Sequence, residues 1–159
     1  MTDRLEVKPS LIEGAGRGLF AKKKIPKGVQ VCEYSGRIVS KKIMQTTYLK
    51  NPEVFRRVFN PVTRDLDVDN VIIGSFDDDK SGVFVNDSVR LTVATRKAVR
   101  TYKKQSNEAA NVVPVVIDGK IFYWSTRKIN KGEEIYASYG PGYWLMDLGV
   151  DPLKIKLFL

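Results

Sequence analysis

The sequence contains no histidine and a single cysteine, Cys32. These two deficits exclude intramolecular disulfides, cysteine-rich zinc clusters and every catalytic triad that depends on histidine. Any chemistry must therefore use Tyr, Asn, Asp, Glu, Lys, Ser or main-chain groups, and we expect no metal site. The sequence also lacks an apolar run near the roughly 20 residues that span a bilayer, and its first ten residues lack an apolar signal region. We therefore expect a soluble protein without a classical secretion signal.

Short alternating segments and turn residues dominate the 159-residue chain. "VQVCEYSGRIV" alternates and breaks at Ser35-Gly36, and "VVPVVIDGKIFYWSTRKI" is two apolar runs joined at Asp118-Gly119, a hairpin signal. Short strands are also predicted for "GRGLFAKKKI", "NVIIGSF" and "GVFVND". Residues 40–59 form the best helical candidate, with Ser40 as the N-cap. The pattern predicts one β-rich α+β domain.

Charge is unevenly distributed along the chain. The formal net charge is +9, but residues 65–87 carry seven aspartates against one lysine, and residues 90–104 carry six basic residues without an acid. A basic surface is typical of proteins with a polyanionic partner. A solvated charged face explains the same pattern.

Residues 14–21, "GAGRGLFA", have glycines at alternate positions. A dinucleotide-binding turn needs Gly-x-Gly-x-x-Gly between a strand and a helix. The spacing differs here, and Pro26 and Gly28 follow where a helix would run, so this interpretation fails. A glycine-rich hairpin remains for the stretch taken alone.

Three separated blocks together resemble the SET domain family, the protein-lysine methyltransferases that use S-adenosylmethionine. They are "GAGRGLFAKKKIPKGVQVCEYSG", "GVFVND" and "STRKINKGEEIYASYG", and the terminal "YGPGYW" is similar to that of compact stand-alone and viral members. The resemblance implies a mainly β fold of several small sheets with knot-like threading of its C-terminal segments. It implies one domain over 1–159, with a core of about 5–145, a helical and acidic insert at 40–82, a charged insertion at 88–110 and a flank at 141–159.

The resemblance also assigns roles to individual residues. Tyr139 and Tyr34 take the catalytic positions, with Tyr34 lining the lysine channel. The cofactor contacts would be Arg17, Gly18, Leu19, Asn86, Asp87 and Trp144. Tyr123, Tyr136 and Tyr143 are candidates for the aromatic substrate channel, with Trp124 an alternative to Tyr123.

Two departures from the family pattern stand out. Asp87 occupies the position of the usual histidine, where the family commonly uses main-chain groups for adenine. About twenty residues replace the usual compact Ser-Cys-x-Pro-Asn continuation, so that either Asn107 or Asn111 could take the place of the later asparagine. Ala137, where many relatives have an aromatic residue, favours multiple methylation.

The expected reaction is direct methyl transfer to a deprotonated lysine, with a histone tail as the substrate and the nucleus as the location. The acidic stretch would receive the basic tail, and the basic surface would contact nucleosomal DNA. Two alternatives remain: a basic nucleic-acid-binding module that uses "TRKAVRTYKK", and a catalytically silent SET-like domain that binds lysine tails. The oligomeric state stays open.

Overall fold

The computed structural model describes residues 2–43, 46, 51, 58–59, 70–78 and 80–159. Within these residues eight strands form three small antiparallel sheets, which confirms the mainly β prediction. The strands are β1 (Leu5–Pro9), β2 (Arg17–Ala21), β3 (Gln30–Glu33), β4 (Gly36–Ser40), β5 (Val58–Phe59), β6 (Asn70–Gly74), β7 (Val112–Ile117) and β8 (Lys120–Ser125). The sheets have the orders β1-β2, β3-β8-β7 and β4-β6-β5.

The described residues contain few helices. They are α1 (Lys41–Ile43), α2 (Arg96–Ala109), α3 (Pro141–Asp147) and the 3₁₀ turns Thr2–Arg4, Gly82–Phe84 and Pro152–Leu157. None of the helices in the described part of the chain is long and apolar enough to cross a membrane.

The β7–β8 hairpin forms as the sequence predicts. Asp118 and Gly119 both have positive φ, 50° and 76°, which is the requirement of the type I′ turn whose twist matches that of the flanking strands. The pairs then run in register from Ile117 with Lys120 to Val112 with Ser125. The break at Ser35-Gly36 is confirmed too, because it separates β3 from β4.

The strand prediction for "GVFVND" is wrong at its start. Gly82–Phe84 is a 3₁₀ turn because the Ser81 hydroxyl accepts a hydrogen bond from the Val83 amide at 3.2 Å. A serine that caps a turn in this way competes with strand pairing. Asn86 alone forms a β-bridge, in parallel with Tyr136.

The helix predicted over 40–59 is confirmed only for α1. The Ser40 hydroxyl accepts from the Ile43 amide at 3.2 Å, as an N-cap does. Val58 and Phe59 form β5 instead, because they pair with Ile73 and Ile72 of β6. Most of the remaining positions of this prediction lie outside the described residues.

Two apolar clusters support the fold. The larger one lies around β2, β3 and β8, and it contains Cys32, whose thiol pKa is raised above its ordinary value by burial. The smaller one joins the inner face of α2 to α3 through Leu91, Val99, Tyr102 and Leu145. The predicted insertion at 88–110 therefore contains a helix that packs on the protein.

Candidate active site

A cavity of about 540 Å³ lies where three distant stretches of the chain meet. Its walls come from the loop before β2, from the segment around Phe84–Arg90, and from Tyr139 with α3. Six predicted site residues line it: Arg17, Asn86, Asp87, Tyr139, Tyr143 and Trp144. The parallel bridge between Asn86 and Tyr136, with the Ala137 amide donating to the Asn86 carbonyl at 3.0 Å, fixes two of these stretches side by side.

Three aromatic rings form one wall of the cavity. Tyr139 and Trp144 are stacked with centroids 5.8 Å apart, and Tyr143 meets them edge-on at 4.8 and 5.0 Å. The chain can place them together because Gly140, at φ 87°, reverses direction before Pro141 starts α3. Such rings offer faces that attract a cation.

The Tyr139 phenol is a neutral hydrogen-bonding group. It donates to the Val85 carbonyl at 2.8 Å. Burial raises its pKa well above the usual value of 10, and Tyr143, Tyr34 and Asp87 raise it further. At physiological pH the phenol therefore keeps its proton, and it cannot serve as the base that removes a proton from an amine.

Tyr34 and Tyr123 pack behind Tyr139 as part of the core. They are 7% and 2% exposed, and neither is among the residues that line the cavity. The packing is close, because a Cβ at Gly74 would lie 2.7 Å from the Tyr34 hydroxyl oxygen and one at Gly82 would lie 2.7 Å from the Tyr123 ring. Burial raises the pKa of Tyr123, and the neighbouring Tyr139 and Tyr34 raise it further. The structure thus groups three of the predicted tyrosines.

Tyr136 belongs to a different group. Its hydroxyl donates to Glu134 Oε2 at 3.0 Å. Burial, followed by this bond, raises the pKa of Tyr136 to about 12. Unlike Tyr143, Tyr136 is not among the residues that line the cavity.

Of the three predicted main-chain contacts, only Arg17 lines the cavity. Leu19 is fully buried, and its carbonyl accepts from the Ile135 amide at 2.8 Å. Gly18 faces the Glu134 carboxylate so closely that an added Cβ would lie 2.1 Å from Oε1. Glycine is required there by this close approach.

Glu134 is a buried residue that the sequence analysis missed. It is 3% exposed, and four donors surround its carboxylate: Ser10 Oγ at 2.7 Å, the Leu11 amide at 2.8 Å, Asn86 Nδ2 at 3.3 Å and the Tyr136 hydroxyl at 3.0 Å. It ties the loop before β2 to Asn86. In the sequence it is the second acid of Glu133-Glu134, directly before the apolar "IYA", and nothing local distinguishes it from its neighbour.

The Asn86 amide has a defined orientation. Its nitrogen donates to the Arg17 carbonyl at 3.0 Å and to Glu134. Both N–H groups are thereby directed at the protein, and the amide oxygen is the group that Asn86 can offer to a ligand. Asp87 differs, because protein donors surround its carboxylate.

The structure distinguishes the two candidate asparagines. Asn111 is 1% exposed, and its side chain donates to the Glu134 carbonyl at 2.9 Å and accepts from the Tyr136 amide at 2.8 Å. Asn107 is exposed on α2. Asn111 therefore braces the segment that leads to Tyr139.

Comparison with known proteins gives the family. The family model of the SET domain matches residues 16–140, so the chain belongs to the SET domain family. No curated protein matches the sequence.

Two solved structures are similar to the chain at 20% identity. One is ctPRC2 in complex with a trimethylated and a lysine-to-methionine form of histone H3, with a TM-score of 0.59 over 87% of this chain. The other is the polycomb repressive complex 2 of Chaetomium thermophilum, with a TM-score of 0.58 over 86%. The matches span 14% and 15% of those chains. At this identity they show the shared fold.

Proposed function

We propose that the protein is an S-adenosylmethionine-dependent protein-lysine N-methyltransferase that acts on a basic protein tail, of which a histone tail is the first candidate. The observation that carries the proposal is the neutral Tyr139 phenol at a cavity walled by Tyr143 and Trp144, in a chain of the SET domain family. The family's members are methyltransferases of this class, and they generally use this cofactor.

The residues around the cavity fit the cofactor. The volume of the cavity lies in the usual range of about 300–1,000 Å³ for small-molecule pockets. At Gly14 (φ 77°) an added Cβ would find nothing within 4 Å, so the main chain is open to a ligand there. The Arg17 guanidinium suits a carboxylate, and the rings of Tyr139 and Tyr143 suit a sulfonium cation. When bound, the cofactor supplies a methyl group that is activated by the positive sulfur.

The chain's own residues then prepare the amine. A lysine has a pKa of about 10.4 in water and must lose its proton before it can attack. An amine that reaches the Tyr139 phenol would enter surroundings in which burial disfavours the charged ammonium and so lowers the pKa of the amine. The Tyr139 oxygen can accept weak C–H contacts from the methyl group or orient the amine, where alignment controls the rate.

The charge around the cavity supports a basic substrate. Asp77 and Asp78 are exposed next to Phe76, which lines the cavity. Carboxylates at the entrance would attract lysine-rich segments. The similar ctPRC2 structure contains forms of histone H3. We therefore propose histone tails as substrates, and the nucleus as the place where the protein would meet them.

Incubation of mixed histones with the enzyme and methyl-labelled cofactor, followed by mass spectrometry, tests the proposal. We expect labelled lysines with the unaltered protein. Tyr139→Phe should lower kcat by about a hundredfold, because the phenol oxygen acts where charge and alignment develop, while calorimetry shows cofactor affinity nearly unchanged. Normal turnover in this variant would remove Tyr139 from its role. Cofactor binding without any turnover in the unaltered protein would favour the silent tail-binding alternative.

The outer face of α2 supports a second partner, nucleosomal DNA. Lys97, Arg100, Lys103 and Lys104 are exposed there, and none of them takes part in an ion pair with the described residues. Cations spaced along one helix face suit a row of phosphates. Affinity for duplex DNA should fall steeply between low and physiological salt. Lys97→Ala with Lys104→Ala should flatten that dependence, whereas Lys154→Ala with Lys156→Ala serves as the control of equal charge.

A further inference from the structure

Asp87 is a buried carboxylate at which two parts of the chain meet. It is 6% exposed. Five protein groups donate to its two oxygens: the Tyr102 hydroxyl, Ser106 Oγ at 2.8 Å, the Val89 amide at 3.1 Å, the Tyr139 amide at 2.9 Å and Trp144 Nε1 at 3.2 Å. A buried carboxylate is costly unless donors surround it, and both oxygens of this one accept hydrogen bonds.

The donors come from two opposed sources. Tyr102 and Ser106 lie on the inner face of α2, where Val99 is buried beside them. Tyr139 and Trp144 belong to the aromatic wall of the cavity. Asp87 is therefore the point at which α2 is joined to that wall.

The Tyr102 hydroxyl also joins α2 directly to the aromatic wall. It donates its proton to Asp87, and its oxygen accepts from the Gly140 amide and from Trp144 Nε1, both at 3.1 Å. Burial and then the bond to Asp87 raise the pKa of Tyr102 to about 12. The phenol consequently stays protonated, and keeps donating, at physiological pH.

We propose that Tyr102 and Ser106 of α2 are positioning residues, which act through Asp87 to fix the main chain of Tyr139 and the indole of Trp144 at the cavity. This inference rests on the proposed methyl transfer for its kinetic part. Neither residue lines the cavity beside Tyr139, so each acts through another group. In an in-line transfer, a small displacement of the aromatic wall is enough to lower the rate.

The alternative is that α2 only stabilises the fold. It predicts that variants of Tyr102 lose stability while the folded protein keeps its rate and the surroundings of its Trp144 indole. The two views differ in what the folded variant does, so the measurements are made well below its melting temperature.

Tyr102→Phe is the first test, with Tyr136→Phe as the matched control. Both variants remove one phenol whose pKa is raised to about 12, but the Tyr136 hydroxyl bonds to Glu134. We expect Tyr102→Phe to lower kcat about tenfold, with KM and the calorimetric cofactor affinity within about threefold of the original values. A kcat within about twofold of the original in the folded variant would overturn the proposal.

The indole N–H resonances provide a readout that needs neither cofactor nor substrate. In nitrogen-labelled, cofactor-free protein, Tyr102→Phe and Asp87→Asn should each shift the Trp144 cross-peak upfield, because its hydrogen bonds weaken. The Trp124 cross-peak is the internal reference, since Trp124 Nε1 is buried without a hydrogen-bond partner among the described residues. Trp124→Phe assigns the two signals. Tyr136→Phe should move neither, and an unmoved Trp144 signal in Tyr102→Phe contradicts the inference.

Ser106 gives an independent pair of variants if Tyr102→Phe does not fold. Ser106→Ala removes the 2.8 Å bond to Asp87, whereas Ser106→Thr keeps a hydroxyl. We expect the Trp144 signal to move in the first and to return towards its original position in the second. If the unaltered protein transfers no methyl group, the proposed function fails, while the indole signals still decide this inference.

Discussion

Glu134 and Asp87 are both buried carboxylates, 3% and 6% exposed, yet they hold different walls of one cavity. Glu134 binds Ser10, the Leu11 amide and the Asn86 amide group, and so fixes the loop before β2. Asp87 binds the residues of α2 and of the aromatic wall.

The difference shows how this site is assembled. Glu134 lies within the residues that match the family, as do its partners Asn86 and Tyr136, whereas Ser10 and the Leu11 amide precede the match. Asp87, which the resemblance in sequence places at the position of the usual histidine, accepts hydrogen bonds from Tyr102 and Ser106 of α2. Asp87 and the inner face of α2 thus belong to one hydrogen-bonded unit.

Removal of the Glu134 carboxylate should have the largest effect on the free energy of unfolding. Glu134→Ala leaves four donors without their acceptor, so the free energy of unfolding should fall by about 3 to 5 kcal/mol. Glu133→Ala is the matched control, because its carboxylate is a third exposed and pairs with Arg127, which is worth less than about 1 kcal/mol. Urea unfolding measures both. Equal losses in the two variants would contradict a special role of Glu134.

A steric clash introduced beside Glu134 should have an intermediate effect on the free energy of unfolding. Gly18→Ala places a Cβ 2.1 Å from Glu134 Oε1, and the resulting shift should cost about 1 to 3 kcal/mol of stability. Cofactor affinity should fall as well, since the loop before β2 moves. Gly142→Ala in α3 meets nothing within 4 Å and should be neutral or slightly stabilising. If Gly18→Ala were as stable as Gly142→Ala, the close approach at Glu134 would be disproved.

Alkaline pH should change stability least. It compares the two carboxylates through the phenols that bond to them. Tyr102 bonds to Asp87 and Tyr136 to Glu134, and both pKa values are raised from 10 to about 12. The unfolded chain therefore loses these protons first, so the stabilisation is complete below pH 10 and is lost as the pH rises towards 12.

Thermal midpoints between about pH 9 and pH 11 test this expectation. Tyr102→Phe and Tyr136→Phe should each make the stability less dependent on pH, by about 1 kcal/mol for the buried Tyr102 and by less for Tyr136, which is partly exposed and therefore screened by solvent. If neither variant changes the slope of stability against pH, these two phenols are not the cause of the pH dependence.

The strands were predictable from the sequence wherever a local signal decided the structure. Asp118 and Gly119 fix a turn by their own φ preferences, and Ser35-Gly36 marks the point where β3 ends and β4 begins. The inner face of α2 also had a signal, since Val99, Tyr102 and Ser106 recur at helical spacing. By contrast, Val58 and Phe59 became a strand because β6 offered a pairing edge, which no local pattern encodes.

The site was only partly predictable for the same reason. The motif blocks placed Tyr139, Asn86 and Trp144 at the cavity. Glu134 was missed because its four donors lie up to 124 residues away in the chain. Tyr136 was predicted for the channel from the family resemblance, and in the structure its hydroxyl bonds to Glu134. Contacts between distant segments determine which way a side chain points, and they depend on the completed fold.

The aromatic wall determines how far a fragment of the chain must extend in order to keep the cavity. The family match ends at residue 140, yet Tyr143 and Trp144 lie beyond it on α3, and the Gly140 amide donates to the Tyr102 hydroxyl of α2. A fragment trimmed to the boundary of sequence similarity would keep the motif and lose two of the three rings, together with the Trp144 indole that donates to Asp87. For this chain, the smallest portion worth expressing by itself extends through α3.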